Sequence, residues 1–372
     1  MMMWLGIDDT DSLDGGCTTL VFHELLDSLP CEYGQPRLTR LWPFAAQRTR
    51  GNASLSVEIY TDDEIIPWLD NYWNTKILPL RGQVSDSEHS ERKQYPSDPG
   101  MVLFQEQPEE DYYWNAVRGE VTFHDGGKQW GGNGRIGAAA SCAWREKNST
   151  WEGIAWRLEE RRVDNDVLAK VDQMDGTFLC RDPRTKRGLI SPRGPCPVMF
   201  GIRATSLDVA KNATELLIEG SAPIIGSRVF KTNQASGDHL ETTTTVTVHT
   251  KETLNGGHVV INGKYLAFSE SGKMNLLAQW MNEGDSFECM GLEYENMIHL
   301  EAIKIVDSKN RSRPLCDCGT RMKSMGSEQG VRCPKCKTRK SDSWVEENRQ
   351  PLFSGWVQPP PDKRRHLAKI LT

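Results

Sequence analysis

The chain has 372 residues and a formal net charge of −6, from 45 Lys and Arg against 51 Asp and Glu. This length exceeds one hydrophobic core and predicts roughly two to four domains. No apolar stretch is long enough to span a bilayer, the first residues lack the basic flank and apolar core expected of a signal peptide, and the acidic balance argues against indiscriminate nucleic-acid binding over the whole surface.

The first predicted element is a strand from Trp4 that ends abruptly in Asp8, Asp9 and Asp11. The turn GGCTT, Gly15 to Thr19, then delivers Thr18 and Thr19 into an amphipathic helix. Carboxylates crowded at a strand end repel one another unless a hard cation neutralises them, and magnesium commonly arrives with a phosphorylated substrate. A polar turn with a helix cap uses the same residue types, so this loop alone leaves both readings open. Ala53, Leu55, Val57 and Ile59 alternate with polar residues and predict a half-buried strand leaving the basic turn Gln47 to Asn52. From Val84 to Asp111 the chain turns polar, which predicts a surface excursion or domain boundary.

The segment GGNGRIGAAA, Gly131 to Ala140, puts glycines on a turn that opens a helix. Such a turn either points amides at a phosphate, with Arg135 adding charge, or packs tightly against a neighbour. Trp144, Trp151 and Trp156 are spaced for the buried side of a helix. CPVMFGIR, Cys196 to Arg203, predicts a buried strand with an arginine at its edge. From Thr242 to Val306 the order is strand, strand, strand, helix, strand, strand, that of an OB-fold barrel, a frequent binder of single-stranded nucleic acid.

Ten cysteines are present, six scattered and four clustered. Cys316 and Cys318 form a CDCG pair with a one-residue spacer, and Cys333 and Cys336 a CPKC pair with the usual two. Two such knuckles predict a tetrahedral structural zinc site that stabilises a segment too short and charged for a core. Scattered thiols with a metal cluster, in place of a disulfide framework, point to the cytoplasm. Residues 309–340 carry ten Lys and Arg opposed only by Asp317 and Glu328, and Lys363, Arg364, Arg365 and Lys369 follow. A basic end on an acidic body suits a module that grips a polyanion while the remainder does chemistry.

Taken in order, GIDDTDS with GGCTT, RTRGN at Arg48 to Asn52, GRIGAAA, CPVMFGIR, TNQAS at Thr232, GGHV at Gly256, the terminal cysteine pairs and RRHL at Arg364 resemble the agmatidine synthetases, an archaeal family that modifies isoleucine tRNA. The resemblance implies an α+β multidomain fold: a kinase-like α/β N-terminal domain over 1–110, part of it returning later, and a ferredoxin-like domain over 111–228. An OB-fold RNA-binding domain over 229–308, a zinc ribbon over 309–342 and a basic tail over 343–372 complete it. It also implies ligation of agmatine to the wobble cytidine of the tRNA, with ATP converted to AMP and two phosphates. Its partners would be the anticodon loop and body of isoleucine tRNA, with no membrane. Asp8, Asp9, Asp11 and Thr18 then become the catalytic candidates, with magnesium on the aspartates and Thr18 matching the family threonine that takes up phosphate. Thr10, Arg48, Arg50, Gly134, Arg135 and Gly137 are candidates for nucleotide contacts. Two competing readings are an aspartyl-phosphate type phosphatase built on Asp9 and Asp11 with an RNA-binding appendage, and a non-catalytic RNA-binding protein.

Overall fold

A computed structural model of the chain describes residues 1–11, 16–46, 52–82, 95–326, 329–341 and 345–371. They form two units, one of Met1–Glu241 with Arg364–Ile370 and one of Thr242–Lys363.

The first unit is organised on one mixed sheet. Its elements are β1 (Met2–Asp8), α1 (Thr18–Ser28), β2 (Glu32–Tyr33), β3 (Arg37–Arg40), β4 (Ala53–Tyr60), α2 (Ile65–Tyr72), β5 (Gly100–Phe104), α3 (Glu110–Arg118), β6 (Lys128–Gly131) and α4 (Gly134–Ala143). There follow β7 (Thr150–Arg157), α5 (Asn165–Asp172), β8 (Val198–Ala204), α6 (Leu207–Glu219) and β9 (Ile224–Thr232). The strand order is β6-β5-β1-β4-β3-β9-β7-β8, with β2 beside β4. All neighbours are antiparallel except β3 and β9. Strands from both sides of position 110 therefore share this sheet.

Strand β1 lies between β4 and β5, and its period of two sorts its side chains onto two apolar faces. Met3, Leu5 and Ile7 join Phe22 and Leu25 of α1 and Leu69 of α2, while Trp4 joins Val102, Phe104, Ala138 and Cys142. Burial on both faces is why β4, read as half-buried from its alternation, has Leu55 and Val57 fully buried and Ser54 and Ser56 fully buried as well. Gly6 permits the approach of α4, since a Cβ there would lie 2.5 Å from the carbonyl oxygen of Ala138.

Two sequence expectations are corrected here. The polar stretch after Val84 is not wholly a surface excursion: β5 is a buried strand paired with β1, its apolar run MVLF too short to stand out beside so many polar residues. Trp151 and Trp156 lie on β7, and Trp144 follows the end of α4, so these tryptophans do not share a helix. Trp144 and Trp156 are nevertheless core residues. The CPVMFGIR strand is β8, which ends the sheet order beside β7.

The second unit contains β10 (Thr244–Thr247), β11 (Lys251–Thr253), β12 (Val259–Ile261), β13 (Tyr265–Ala267), α7 (Lys273–Trp280), β14 (Ser286–Tyr294) and β15 (Met297–Asp307). They pair in the order β10-β14-β15-β13-β12-β11, and β13 runs parallel to β15. Val259, Ile261, Met274, Leu277, Phe287 and Ile303 fill the interior. Beyond lie β16 (Lys309–Ser312), β17 (Lys323–Ser324), β18 (Val331–Arg332), β19 (Arg339–Lys340) and β20 (Val345–Asn348), with β16 on β20 and β17-β18-β19 a small sheet. The stretch read as a tail is thus divided, β20 pairing within the second unit and Arg364–Ile370 belonging to the first. Among the described residues no helix is long and apolar enough to cross a membrane.

Candidate active site

Strand β1 delivers Asp8 to the end of the sheet, directly opposite Gly100 at the start of β5. The chain then turns sharply through Asp9, whose φ of 58° is a left-handed conformation that Asp tolerates better than most residues. The Asp9 amide donates to Asp8 Oδ1 at 2.7 Å. Across the loop, the Thr18 hydroxyl donates to Asp11 Oδ1 at 3.1 Å and accepts from the Thr10 amide at 3.4 Å. Asp11 and Thr18 are thereby brought together at the first turn of α1.

A further carboxylate, Asp98, completes the cluster and was missed in the sequence because it falls in the polar stretch. The signal available was Asp98-Pro99-Gly100, a turn opening directly into an apolar run. The Asp98 amide donates to Asp9 Oδ2 at 3.0 Å, and its own carboxylate accepts from the Asn133 amide at 2.8 Å and pairs with Arg81 at 2.6 Å. It ties the acidic loop to the glycine turn.

Burial, and then the charge of Asp9, push the Asp8 carboxyl well above its ordinary range. Asp9 is pushed up to about 7, chiefly by burial, with the charges of Asp11 and Asp98 adding and the Asp98 amide opposing. A divalent cation relieves such repulsion, and the hard oxygen donors suit magnesium. Among the described residues only the four cysteines form a group whose ligand atoms all lie within 4.8 Å. The loop aspartates do not form such a group.

Helix α4 presses against Asp8. A Cβ on Gly137 would lie 1.8 Å from Asp8 Oδ2, and one on Gly134 would lie 2.5 Å from the Asp8 carbonyl oxygen. The amides of this turn are already used: Asn133 and Gly134 donate to Asp98, Arg135 to Gly132 O and Ile136 to Asn133 O. Of the two sequence readings, the close-packing one describes the turn, and the expected amide cradle for phosphate does not form. The Arg135 guanidinium bonds Gly132 O and Gln129 and lies 4.1 Å over the Phe123 ring, so its charge is held there. Thr10 is buried, and its hydroxyl has no partner among the described residues. Arg48 and Arg50 lie outside the described residues.

Two cavities flank the loop. One, of about 330 Å³, is lined by Asp8, Asp9, Trp42, Asn133, Gly134 and Gly137. The other, of about 280 Å³, is lined by Asp11, Thr18, Arg40, Glu152, Arg203 and His366. Arg40 pairs with Glu152 at 3.2 Å. His366, brought back by the C-terminal segment, is held well below the usual histidine range by the Arg40 charge, then by burial and Arg203, and stays neutral.

In the second unit, Cys316, Cys318, Cys333 and Cys336 converge despite the short first spacer. Cys316 and Cys336 Sγ atoms are 3.3 Å apart and those of Cys318 and Cys333 3.5 Å, near the roughly 3.8 Å edge of a tetrahedron with metal–sulfur bonds of about 2.3 Å. Each knuckle closes through a left-handed residue after its second cysteine, Gly319 with φ 77° and Lys337 with φ 67°. Arg321, Lys323, Arg332, Lys335, Lys337 and Arg339 are exposed around it.

Three family models match: the TiaS TCKD domain over residues 4–65, the TiaS FLD domain over 132–239 and the TiaS C-terminal zinc ribbon domain over 313–350. The isoleucine-tRNA 2-agmatinylcytidine synthetase TiaS of Archaeoglobus fulgidus is 29% identical over 100% of this chain and 97% of its own length. That of Methanopyrus kandleri is 28% identical over 99% and 96%. A crystal structure of TiaS in complex with isoleucine tRNA and ATP superposes with a TM-score of 0.79 at 28% identity, covering 99% of this chain and 96% of that one. A complex of TiaS with isoleucine tRNA, AMPCPP and agmatine gives 0.75 at 25% identity, with 99% and 96% covered. With matches at both ends and the middle, and relatives aligned over nearly their whole length, the chain belongs to the TiaS family of isoleucine-tRNA 2-agmatinylcytidine synthetases.

Proposed function

We propose that this protein is an ATP-dependent ligase that joins agmatine to the wobble cytidine of isoleucine tRNA, converting ATP to AMP and two phosphates. The observation that carries the reading is the full-length family match, together with Asp8, Asp9, Asp11 and Thr18 gathered at one strand end. Neither a phosphatase nor a binding protein without chemistry accounts for relatives crystallised with tRNA, an ATP analogue and agmatine.

The cytosine carbonyl oxygen is a poor leaving group until a phosphoryl group is placed on it, which is the task ATP performs. Asp8 and Asp9 would hold magnesium, which when bound neutralises the triphosphate and orients it. The first cavity, with Trp42 as a flat apolar wall and the aspartates at its end, suits a nucleotide base with its phosphates toward the loop. Thr18, whose hydroxyl donates to Asp11, would accept the terminal phosphoryl group, Asp11 taking the hydroxyl proton as the new oxygen–phosphorus bond forms and the bond to ADP breaks. Passed from Thr18 to the cytosine carbonyl oxygen, the phosphoryl group makes that oxygen a leaving group; the agmatine amine attacks the ring carbon and gives up a proton, the carbon–oxygen bond breaks to release inorganic phosphate, and hydrolysis of the remaining ADP gives AMP and the second phosphate. Thr10, Gly134 and Gly137 are proposed as nucleotide-side wall residues, and Arg48 and Arg50 as basic residues for the phosphates.

The sub-folds follow the same reading. A kinase-like part surrounds β1, and a ferredoxin-like part is built on β7 to β9 with α5 and α6. An OB-fold is supported by the parallel β13 and β15 pair with α7 between β13 and β14. The four thiolates hold zinc in a basic ribbon that grips the tRNA, and the enzyme works in the cytoplasm. Asp8→Ala tests the division of labour: it should abolish modification and leave tRNA affinity within about threefold of the unaltered protein. Retained modification would overturn the assignment of Asp8.

A further inference from the structure

Helix α1 begins with Thr18, yet its N-cap residue, Cys17, makes no side-chain capping bond. Ordinarily a Ser, Thr, Asp or Asn at that position ties down the first turn. Here the restraint comes from another strand. Trp156 of β7 is fully buried, and its indole N–H donates to the Thr19 hydroxyl oxygen at 3.1 Å. The same oxygen lies 2.8 Å from Cys17 Sγ, so one hydroxyl joins the cap residue, the first helical turn and β7.

The next turn of α1 is clamped from the same side. The His23 ring stacks on the Trp156 ring with centroids 4.7 Å apart and planes 16° from parallel. Arg228 of β9 donates to His23 Nδ1 at 2.9 and 3.1 Å, to the Tyr33 hydroxyl at 3.1 Å, and to Asp27 at 2.6 Å. Because Nδ1 accepts, the ring proton sits on Nε2, which faces Asp27 at 3.3 Å. The backbone of β9 approaches this ring closely: a Cβ on Gly226 would lie 2.7 Å from His23 Nε2.

We propose that Trp156 is a positioning residue for Thr18: through Thr19 and His23 it fixes the first turn of α1, and so holds the Thr18 hydroxyl in line with Asp11. A core tryptophan needs only some acceptor for its N–H. This one uses the hydroxyl adjacent to the reacting one, on the helix turn that lacks its own cap. Reacting groups tolerate little displacement, a misplacement of about 1 Å costing on the order of a hundredfold in rate.

The inference rests on Thr18 acting as proposed above, and its test has a part that does not depend on activity. Trp156→Phe keeps an aromatic ring beside His23 but removes the N–H together with part of the indole, so Thr19→Val, which removes the accepting hydroxyl at nearly constant volume, is its control. Amide hydrogen exchange at residues 18–21 should then accelerate at least tenfold while the C-terminal turn of α1 is unchanged. In the adduct assay kcat should fall about tenfold to a hundredfold, with KM for ATP and tRNA near those of the unaltered protein. Thr19→Val should reproduce the fall, and the double variant should be no worse than either single one. Unchanged exchange in the first turn, an unchanged kcat, or additive losses would overturn the proposal. Failure of the unaltered protein to form any adduct would count against the function itself, while the exchange measurement would still decide the clamp.

Discussion

Gly137→Ala probes the contact on which the geometry of the acidic loop depends. A methyl group at Gly137 would sit 1.8 Å from Asp8 Oδ2, 2.8 Å from Asp8 Cγ and 3.2 Å from Ser54 Cβ. Non-bonded heavy atoms settle at roughly 3.5 Å, so either the Asp8 carboxylate or helix α4 must move by about 1.5 Å. Helix α4 has little room, because Gly134 is packed against the backbone of Asp8 and Gly100, and Gly6 against Ala138. The carboxylate therefore moves, and a displacement of this size predicts a rate loss on the order of a hundredfold. Stability responds differently. Gly to Ala inside a helix gains about 1 kcal/mol from propensity, against about 1–3 kcal/mol for overpacking, so the two largely offset. Initial rates of adduct formation and a thermal melt on the same preparation separate the effects. A Gly137→Ala protein with a rate within threefold of the unaltered one would refute the claim that Asp8 must stay where α4 holds it.

Two other outcomes follow from the electrostatics and the thiol cluster. Asp9 carries a folded-state pKa of about 7 without metal, raised above its unfolded value, so the folded protein retains a proton that the unfolded chain has released. Its stabilisation is complete below about pH 4 and is lost as pH rises through about 7, on the order of a few kcal/mol, and Asp8 shifts in the same direction. Denaturant titrations should find the metal-free protein less stable at about pH 8 than at about pH 5, with magnesium stabilising it more at the higher pH; equal stability at both would contradict this. Cys333→Ser with Cys336→Ser should lower tRNA affinity at least tenfold, measured by filter binding, before ATP turnover falls, and normal tRNA binding would contradict the role given to the ribbon.

The acidic loop proposed as catalytic stood out because its residues are local: Asp8, Asp9, Asp11 and Thr18 lie within one strand, turn and helix, and the structure brings Thr18 to Asp11. The four cysteines were legible for the same reason, as spacing within a knuckle is a local property. What depended on sheet pairing was not. Asp98 joins the loop only because β5 pairs with β1, and His366 lines a cavity with Thr18 although nearly the whole chain separates them. Glycines mislead in a related way. GRIGAAA reads equally as a phosphate turn or a packing surface, and only the engaged amides of Gly134, Arg135 and Ile136 decide for packing. The tryptophans were read as one helix's core from their spacing; Trp144 and Trp156 are core, but the element carrying Trp156 is set by its β8 and β9 neighbours, which periodicity over a short window does not reveal.

The central claim is that this chain joins agmatine to one cytidine of one tRNA. Purified protein incubated with ATP, magnesium, agmatine and an isoleucine tRNA transcript, followed by nucleoside mass spectrometry, tests it directly. The account predicts a cytidine heavier by the agmatine adduct at the wobble position, with AMP formed in step and no adduct on a methionine tRNA transcript. AMP formation indifferent to the tRNA supplied, or an unmodified wobble cytidine after ATP is consumed, would contradict it.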